Sequence, residues 1–247
     1  MHPILFKIGS LEIYSYGVLV ALGFIIAVAL ASRHARTAGL NPERITDLCL
    51  ISMMAGLAGA RALHVLLNLE RYSADPLQII MVNRGGLAVQ GGLLAGILAG
   101  WFYTRSKRLP VLKTGDAVAP YIALGQSIGR IGCLLNGCCY GSPTSLAWGL
   151  YLPGHLTKLH PTQIYMSVAY FGIFLLLLRM RRRKALPIGG IFTSYLILFS
   201  VSRFIIDYFR QDIHPLFIGL RTSQIISLAV LIAVIPVFWV LMQKRYE

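Results

Sequence analysis

The chain has 247 residues, 56% of them apolar and only 13% charged, with a mean hydropathy of +0.68 and a net charge of +14. Soluble domains carry about 25% charged residues, so this composition excludes an ordinary soluble globule and implies an integral membrane protein. The longest polar stretches, roughly 68–86 and 141–162, are too short to bury a core of their own, and we expect a single membrane domain over 1–247.

Seven apolar segments follow in chain order, at about 16–32, 45–67, 87–103, 117–139, 163–178, 189–208 and 222–242. Each is close to the roughly 20 residues that cross hydrocarbon as a helix, and lipid leaves backbone polar groups no partner outside a helix or a closed barrel. The expected fold class is all-α: a polytopic membrane protein of seven transmembrane helices, with short arm and head segments on its outer side, among them the loop 141–162. The fourth segment is the least apolar and reads as either a full helix or a broken one.

Most of the positive charge falls on one side. Arg33, Arg36 and Arg44 follow segment 1; Arg105, Lys107, Arg108 and Lys113 follow segment 3; Arg179, Arg181, Arg182, Arg183 and Lys184 follow segment 5; Lys244 and Arg245 follow segment 7. The other side holds only Lys7, Arg71, Arg84, Lys158, Arg210 and Arg221. By the positive-inside rule the N-terminus is outside and the C-terminus in the cytoplasm. The basic runs are then topology signals and anionic-lipid contacts, and no nucleic-acid partner is implied. Segment 1 is expected to be a retained anchor: its basic cluster follows the apolar stretch, the reverse of a secretory signal.

Three arginines remain inside apolar segments: Arg61, Arg130 and Arg203. A charge at bilayer depth is costly and usually faces a protein-lined polar cavity. Guanidinium forks match phosphate or carboxylate and stay protonated, so a buried anion site is expected. Arg61 and His64 are three apart on one helix face, and His64 reads as a structural hydrogen-bonding group or a base. Segment 3 opens Arg84-Gly85-Gly86-Leu87-Ala88-Val89-Gln90-Gly91-Gly92, with polar Gln90 just inside. Segment 4 begins with Asp116, where an acid suits the dipole of a helix N-terminus. It ends in GRIGCLLNGCCYG from Gly129 to Gly141, in which Arg130 and Asn136 are donors among glycines that permit close approach. His160-Pro161-Thr162-Gln163 stands at the mouth of segment 5, where Pro161 suits a helix start. In segment 6, Arg203 and Asp207 share a helix face and Arg210 follows a turn later. The group is either a self-neutralising ion pair or an anion site in which Asp207 orients Arg203 and Arg210 sits at the rim. Cys49, Cys133, Cys138 and Cys139 lack a CxxC pair or a suitably spaced His, so they read as packing residues, with no metal expected.

Taken in order, GRIGCLLNGCCYG, the RGGLxxxGG run from Arg84, HPTQIY from His160 and RFIIDYFR from Arg203 resemble the prolipoprotein diacylglyceryl transferase family of bacterial inner membranes, over nearly the whole chain. The resemblance implies a multi-pass enzyme of the bacterial cell inner (cytoplasmic) membrane whose active site opens toward the periplasmic leaflet. It implies transfer of the diacylglyceryl group of phosphatidylglycerol to the lipobox cysteine thiol of a prolipoprotein signal peptide, giving a thioether and glycerol phosphate without a cofactor. Its implied catalytic residues are Arg130, Arg203 and Asp207. Its implied phosphatidylglycerol contacts are Arg130, Asn136, Gln90, Gly91, Gly92, Arg210, Arg61, His64 and Tyr16. His160 and His64 are the candidate proton acceptors.

The chain departs from the family's pattern at Gln90, where many relatives carry His, and at Cys133 and Cys138, where some carry Asn and an acid. A dedicated base is not obvious. Two other classes stay open: a catalytically silent, lipid-binding member of the family, and a lipid or anion transporter.

Overall fold

In the computed structural model, residues 2–8, 11–81, 85–183, 186–211, 215–217 and 219–243 are described. Arg84, Lys184, Lys244 and Arg245, named above, lie outside the described residues. The chain is mostly helical, with long helices α1 (Ser15–Thr37), α2 (Pro42–Leu66), α4 (Val89–Ser106), α5 (Val111–Asn136), α6 (Thr162–Arg182), α7 (Gly190–Asp207) and α8 (Thr222–Gln243). A short helix, α3 (Leu69–Ala74), and a 3-10 turn at Pro76–Ile80 occupy the polar stretch between α2 and α4.

Among the described residues, six of these helices (all the long ones except α4) are long and apolar enough to cross a membrane. Four glycines, Gln90 and Arg105 dilute the hydropathy of the 18-residue α4. Segment 4 is one unbroken helix despite Pro120. It stops at Asn136, so Gly137, Cys138 and Cys139, counted above with the apolar segment, leave the helix.

Among the described residues, strands that hydrophobic length does not foresee form three two-stranded antiparallel hairpins. They pair β1 (Ile4–Ile8) with β2 (Leu11–Tyr14), β3 (Leu150–Tyr151) with β4 (Lys158–Leu159), and β5 (Pro215–Phe217) with β6 (Leu220–Arg221). On the first, the hydrogen bond from Lys7 across the exposed hairpin (2.6 Å) holds the Glu12 carboxyl below its ordinary value.

The chain divides into two compact units, Ala31–Thr114 and Met1–Leu30 with Gly115–Glu247. In the first, α2 and α4 lie backbone to backbone. A Cβ added at Gly59 would meet the Gly91 carbonyl oxygen at 2.7 Å, and one added at Gly91 would meet Leu63 Cβ at 2.5 Å. This is the small-residue seam by which helices associate where hydrocarbon supplies no hydrophobic drive. Gly91 and Gly92, two of the residues that the resemblance assigns to lipid, therefore also form this seam.

The second unit has its core between α5, α6 and α7: Ala119, Ala123, Met166, Tyr170, Ile173, Leu177, Ile191, Tyr195 and Ile206. Tyr170 stacks on Phe199 with centroids 5.4 Å apart. Asp116 serves another helix than the one expected. It lies inside α5 and accepts from the backbone N–H groups of Gly189 (2.6 Å) and Phe192 (2.8 Å), so it caps the positive end of α7.

Gly59→Val should destabilise the protein by roughly 1–3 kcal/mol through overpacking, read as a lower midpoint of thermal unfolding in detergent. Gly17→Ala, where an added Cβ meets nothing within 4 Å, should leave the midpoint unchanged. Equal midpoints for the two variants would mean that the α2–α4 seam is not tight.

Candidate active site

Three of the four motifs converge at one end of the second unit. After α5, the chain turns through Gly137 (φ 71°) and Cys139 (φ 63°). A left-handed conformation costs a non-glycine residue about 1–2 kcal/mol and persists where its surroundings hold it. Here the side chains opening α6 do so: Gln163 Nε2 donates to the Cys138 carbonyl (2.7 Å) and Thr162 Oγ1 to the Cys139 carbonyl (2.7 Å). HPTQ is thus a clamp on the preceding turn rather than only a helix cap. Gly141 N–H then donates to the His160 carbonyl (2.9 Å) and Ser142 N–H to the Phe209 carbonyl (2.7 Å), joining the turn to the end of α7.

At that end, Asp207 is fully buried. Arg203 Nε approaches its Oδ2 at 3.3 Å, and Arg210 Nη1 its Oδ1 at 3.4 Å. Arg221, the last residue of β6, donates to the backbone carbonyls of Asp207, Tyr208 and Arg210. One carboxylate thus faces two guanidiniums, with a third tied to the backbone around it. The terminal nitrogens of Arg203 have no partner among the described residues.

Arg130, half-buried on α5, has no hydrogen bond or ion pair among the described residues. It lies within electrostatic reach of Arg210, of the Tyr170 hydroxyl, and of Cys133 and Cys139. The buried Tyr170 hydroxyl also lacks a partner among the described residues. Tyr16 enters the same region: its Cα lies 3.3 Å from where a Cβ on Gly132 would be. Asn136 ends α5, two residues before Cys138. His160 Nδ1 is 3.3 Å from the Tyr165 hydroxyl, which accepts from Trp148 Nε1 at 2.8 Å, and the His160 ring packs 5.1 Å from that of Phe209.

Within the other unit Arg61 behaves differently. Its Nε donates to Ile79 O (2.8 Å), Nη1 to Gly85 O (2.6 Å) and Gly86 O (2.8 Å), and Nη2 to Gln78 O and Met81 O (3.3 Å). All five of its donors hold backbone. A cavity of about 160 Å³ is lined by Arg61, His64, Arg71, Tyr72, Gln78, Gly85 and Gly86. The guanidinium lies 5.2 Å over the Tyr72 ring, and the His64 ring meets Tyr72 edge-on. Gln90 is exposed at the start of α4, with no side-chain hydrogen bond among the described residues.

Sequence reasoning missed four things here: the Thr162 and Gln163 clamp, the Tyr165–Trp148 support of His160, the role of Arg221, and the meeting of three thiols. The Sγ atoms of Cys133, Cys138 and Cys139 all lie within 4.8 Å of one another. The available signal was the glycine between Asn136 and the Cys pair, which lets the chain reverse over Cys133.

The sequence profile described as "Prolipoprotein diacylglyceryl transferase" matches residues 3–240. The chain belongs to that family. Similar members include the phosphatidylglycerol–prolipoprotein diacylglyceryl transferase of Clostridium tetani, 36% identical over 96% of this chain and 97% of that one. That of Clostridioides difficile is 38% identical over 92% and 90%, and that of Finegoldia magna 36% identical over 100% and 96%. Membership in this family and the six apolar helices together make the protein a multi-pass membrane protein.

Asp207→Ala should lower stability by roughly 3–5 kcal/mol, because it leaves Arg203 and Arg210 without their shared counter-charge. Unfolding in detergent at low and high salt measures this. A near-neutral effect at both would mean that the carboxylate is not what holds the cluster together.

Proposed function

We propose that this chain is a phosphatidylglycerol–prolipoprotein diacylglyceryl transferase. The observation that carries this reading, beside family membership, is the pair of guanidiniums, Arg130 and Arg203, whose terminal nitrogens have no partner among the described residues. A half-buried cation with unused donors in an apolar helix calls for an anionic ligand, and the phosphate of phosphatidylglycerol supplies one within the bilayer.

In the proposed reaction, the lipobox cysteine of a prolipoprotein signal peptide gives up its thiol proton and attacks the terminal glycerol carbon of the diacylglyceryl group. The C–S bond forms as the C–O bond to phosphate breaks, and the electron pair leaves with glycerol phosphate. Arg130 and Arg203 stabilise the charge that grows on the leaving phosphate, the largest electrostatic task in such a step. Asp207 holds Arg203 in position, and Arg210, expected at the rim, is instead buried against the same carboxylate. Asn136 and Tyr16 border the same space. His160, oriented by Tyr165 and Phe209, is the proton acceptor we favour, since it belongs to the same unit as Arg130. Arg61, with every donor engaged, shapes the loop before α4, and His64 and Gln90 contact lipid without acting as base.

In our reading α4 is the seventh span. At about 1.5 Å per residue it is about 27 Å long, close to the roughly 30 Å of hydrocarbon, and its glycine face is covered by α2. The N-terminus is then outside and the C-terminus cytoplasmic, and the site opens toward the periplasmic leaflet of the inner membrane.

The purified protein in detergent, given phosphatidylglycerol and a synthetic lipobox peptide, should add a diacylglyceryl mass to the peptide and release an equal amount of glycerol phosphate. Absence of both products from protein that still binds phosphatidylglycerol would instead make it a silent, lipid-binding member, the reading that Gln90 favours. In the same assay Arg130→Lys should lower kcat by about 10²–10³-fold, since a point charge does not replace the fork. His160→Gln should also lower it, while Gln90→His should bring little gain. A large gain from Gln90→His would move the base to position 90.

A further inference from the structure

We propose that Cys133, Cys138 and Cys139 form a three-sulfur site for a soft, monovalent d10 cation of the copper(I) class. The site goes beyond the transferase reading and does not depend on it. Cys133 is buried in the last turn of α5, and the turn through Gly137 and left-handed Cys139 brings the other two sulfurs back over it, all within 4.8 Å. Metal–sulfur bonds of about 2.3 Å place three sulfurs in a plane around one ion at about 4 Å from each other. The cluster therefore needs to contract by less than about 1 Å to close on a cation.

The sulfurs are held ready for this. Gln163 and Thr162 fix the carbonyls of Cys138 and Cys139, so the strained turn does not have to form on binding. Cys138 Sγ lies 3.7 Å from the Cys133 carbonyl oxygen. Packing alone would not require two adjacent cysteines in a left-handed turn, aimed at a third.

The donor set selects the ion. Thiolates are soft and favour copper(I) and zinc. Zinc in proteins takes four ligands, or three and an open position. No His, Asp or Glu joins the three sulfurs among the described residues, so a three-coordinate ion fits best. Charge favours it too. Three thiolates around a monovalent cation leave two negative charges, and both Arg130 and Arg210 lie within electrostatic reach of Cys139. On binding, each thiol releases its proton to solvent as its sulfur–metal bond forms. The ion keeps its valence, and nothing is oxidised or reduced.

The test uses the reduced full-length protein in detergent, without oxygen, titrated with copper(I) as its acetonitrile complex against a competing copper(I) chelator. One ion per chain should be retained after desalting. Cys138→Ser and Cys139→Ser should each weaken retention at least tenfold, and Cys49→Ser should leave it unchanged. Independently of any variant, bound copper(I) should shield Cys133, Cys138 and Cys139 from maleimide, read by peptide mass spectrometry. The proposal is overturned if the wild-type chain retains no more copper than a chain with all three changed to Ser, if Cys49→Ser abolishes retention, or if labelling of the three is unaffected by copper.

Discussion

The carboxylate of Asp207 is the constraint on which one end of the larger unit depends. It is fully buried, and a buried charge survives in an apolar surround only with close partners. Arg203 reaches it from one turn before and Arg210 from one turn after. Arg221 then closes the end of α7 by taking the carbonyls of Asp207 and Arg210. Carbonyls at the end of the helix, where the intrahelical ladder stops, are thereby held by a residue of β6. The terminal nitrogens of Arg203 are left without a partner among the described residues, and Arg130 lies within electrostatic reach of Arg210.

Arg61 and Arg130 show how far sequence reasoning reaches. Both sit in apolar helices, and both read as ligand-binding cations. In the fold, all five donors of Arg61 go to backbone carbonyls of the polar stretch before α4, whereas Arg130 has none engaged among the described residues. The difference lies in the loops. The polar stretch that folds back over Arg61 contains a short helix and a 3-10 turn whose carbonyls converge, and no periodicity in the chain announces that. Residue type and depth identified the arginines; only the neighbouring backbone separates a clamp from a binding group.

The long helices were legible because hydrocarbon imposes a length and a composition together, so 16–32, 45–67, 163–178 and 222–242 each map onto one helix. The margin was thin for α4, where glycines needed for close packing against α2 also lower its hydropathy. The hairpins were not legible: strands of two to five residues carry too few side chains for alternation to show. The wider role of HPTQ was hidden because its partners, the carbonyls of Cys138 and Cys139, come from the preceding turn. The thiol cluster was hidden for a related reason. Spacing rules for metal ligands assume regular turns, and a left-handed step after Gly137 brings together sulfurs that a helix would have dispersed.

The same turn links the thiols to the anion site. Arg130 is six residues before Asn136, the last residue of α5, and so about 9 Å below the helix end at about 1.5 Å per residue. There the guanidinium lies within electrostatic reach of Cys133, Cys139, the Tyr170 hydroxyl and Arg210. An ion on the three sulfurs would add negative charge within electrostatic reach of the guanidinium expected to hold phosphate, so cation and lipid phosphate would compete for the same positive field. A chain with Asn and an acid at positions 133 and 138 would keep polar groups beside Arg130 without this sensitivity. With copper(I) on the three sulfurs, the cysteines would make the Arg130 region responsive to a second kind of ligand.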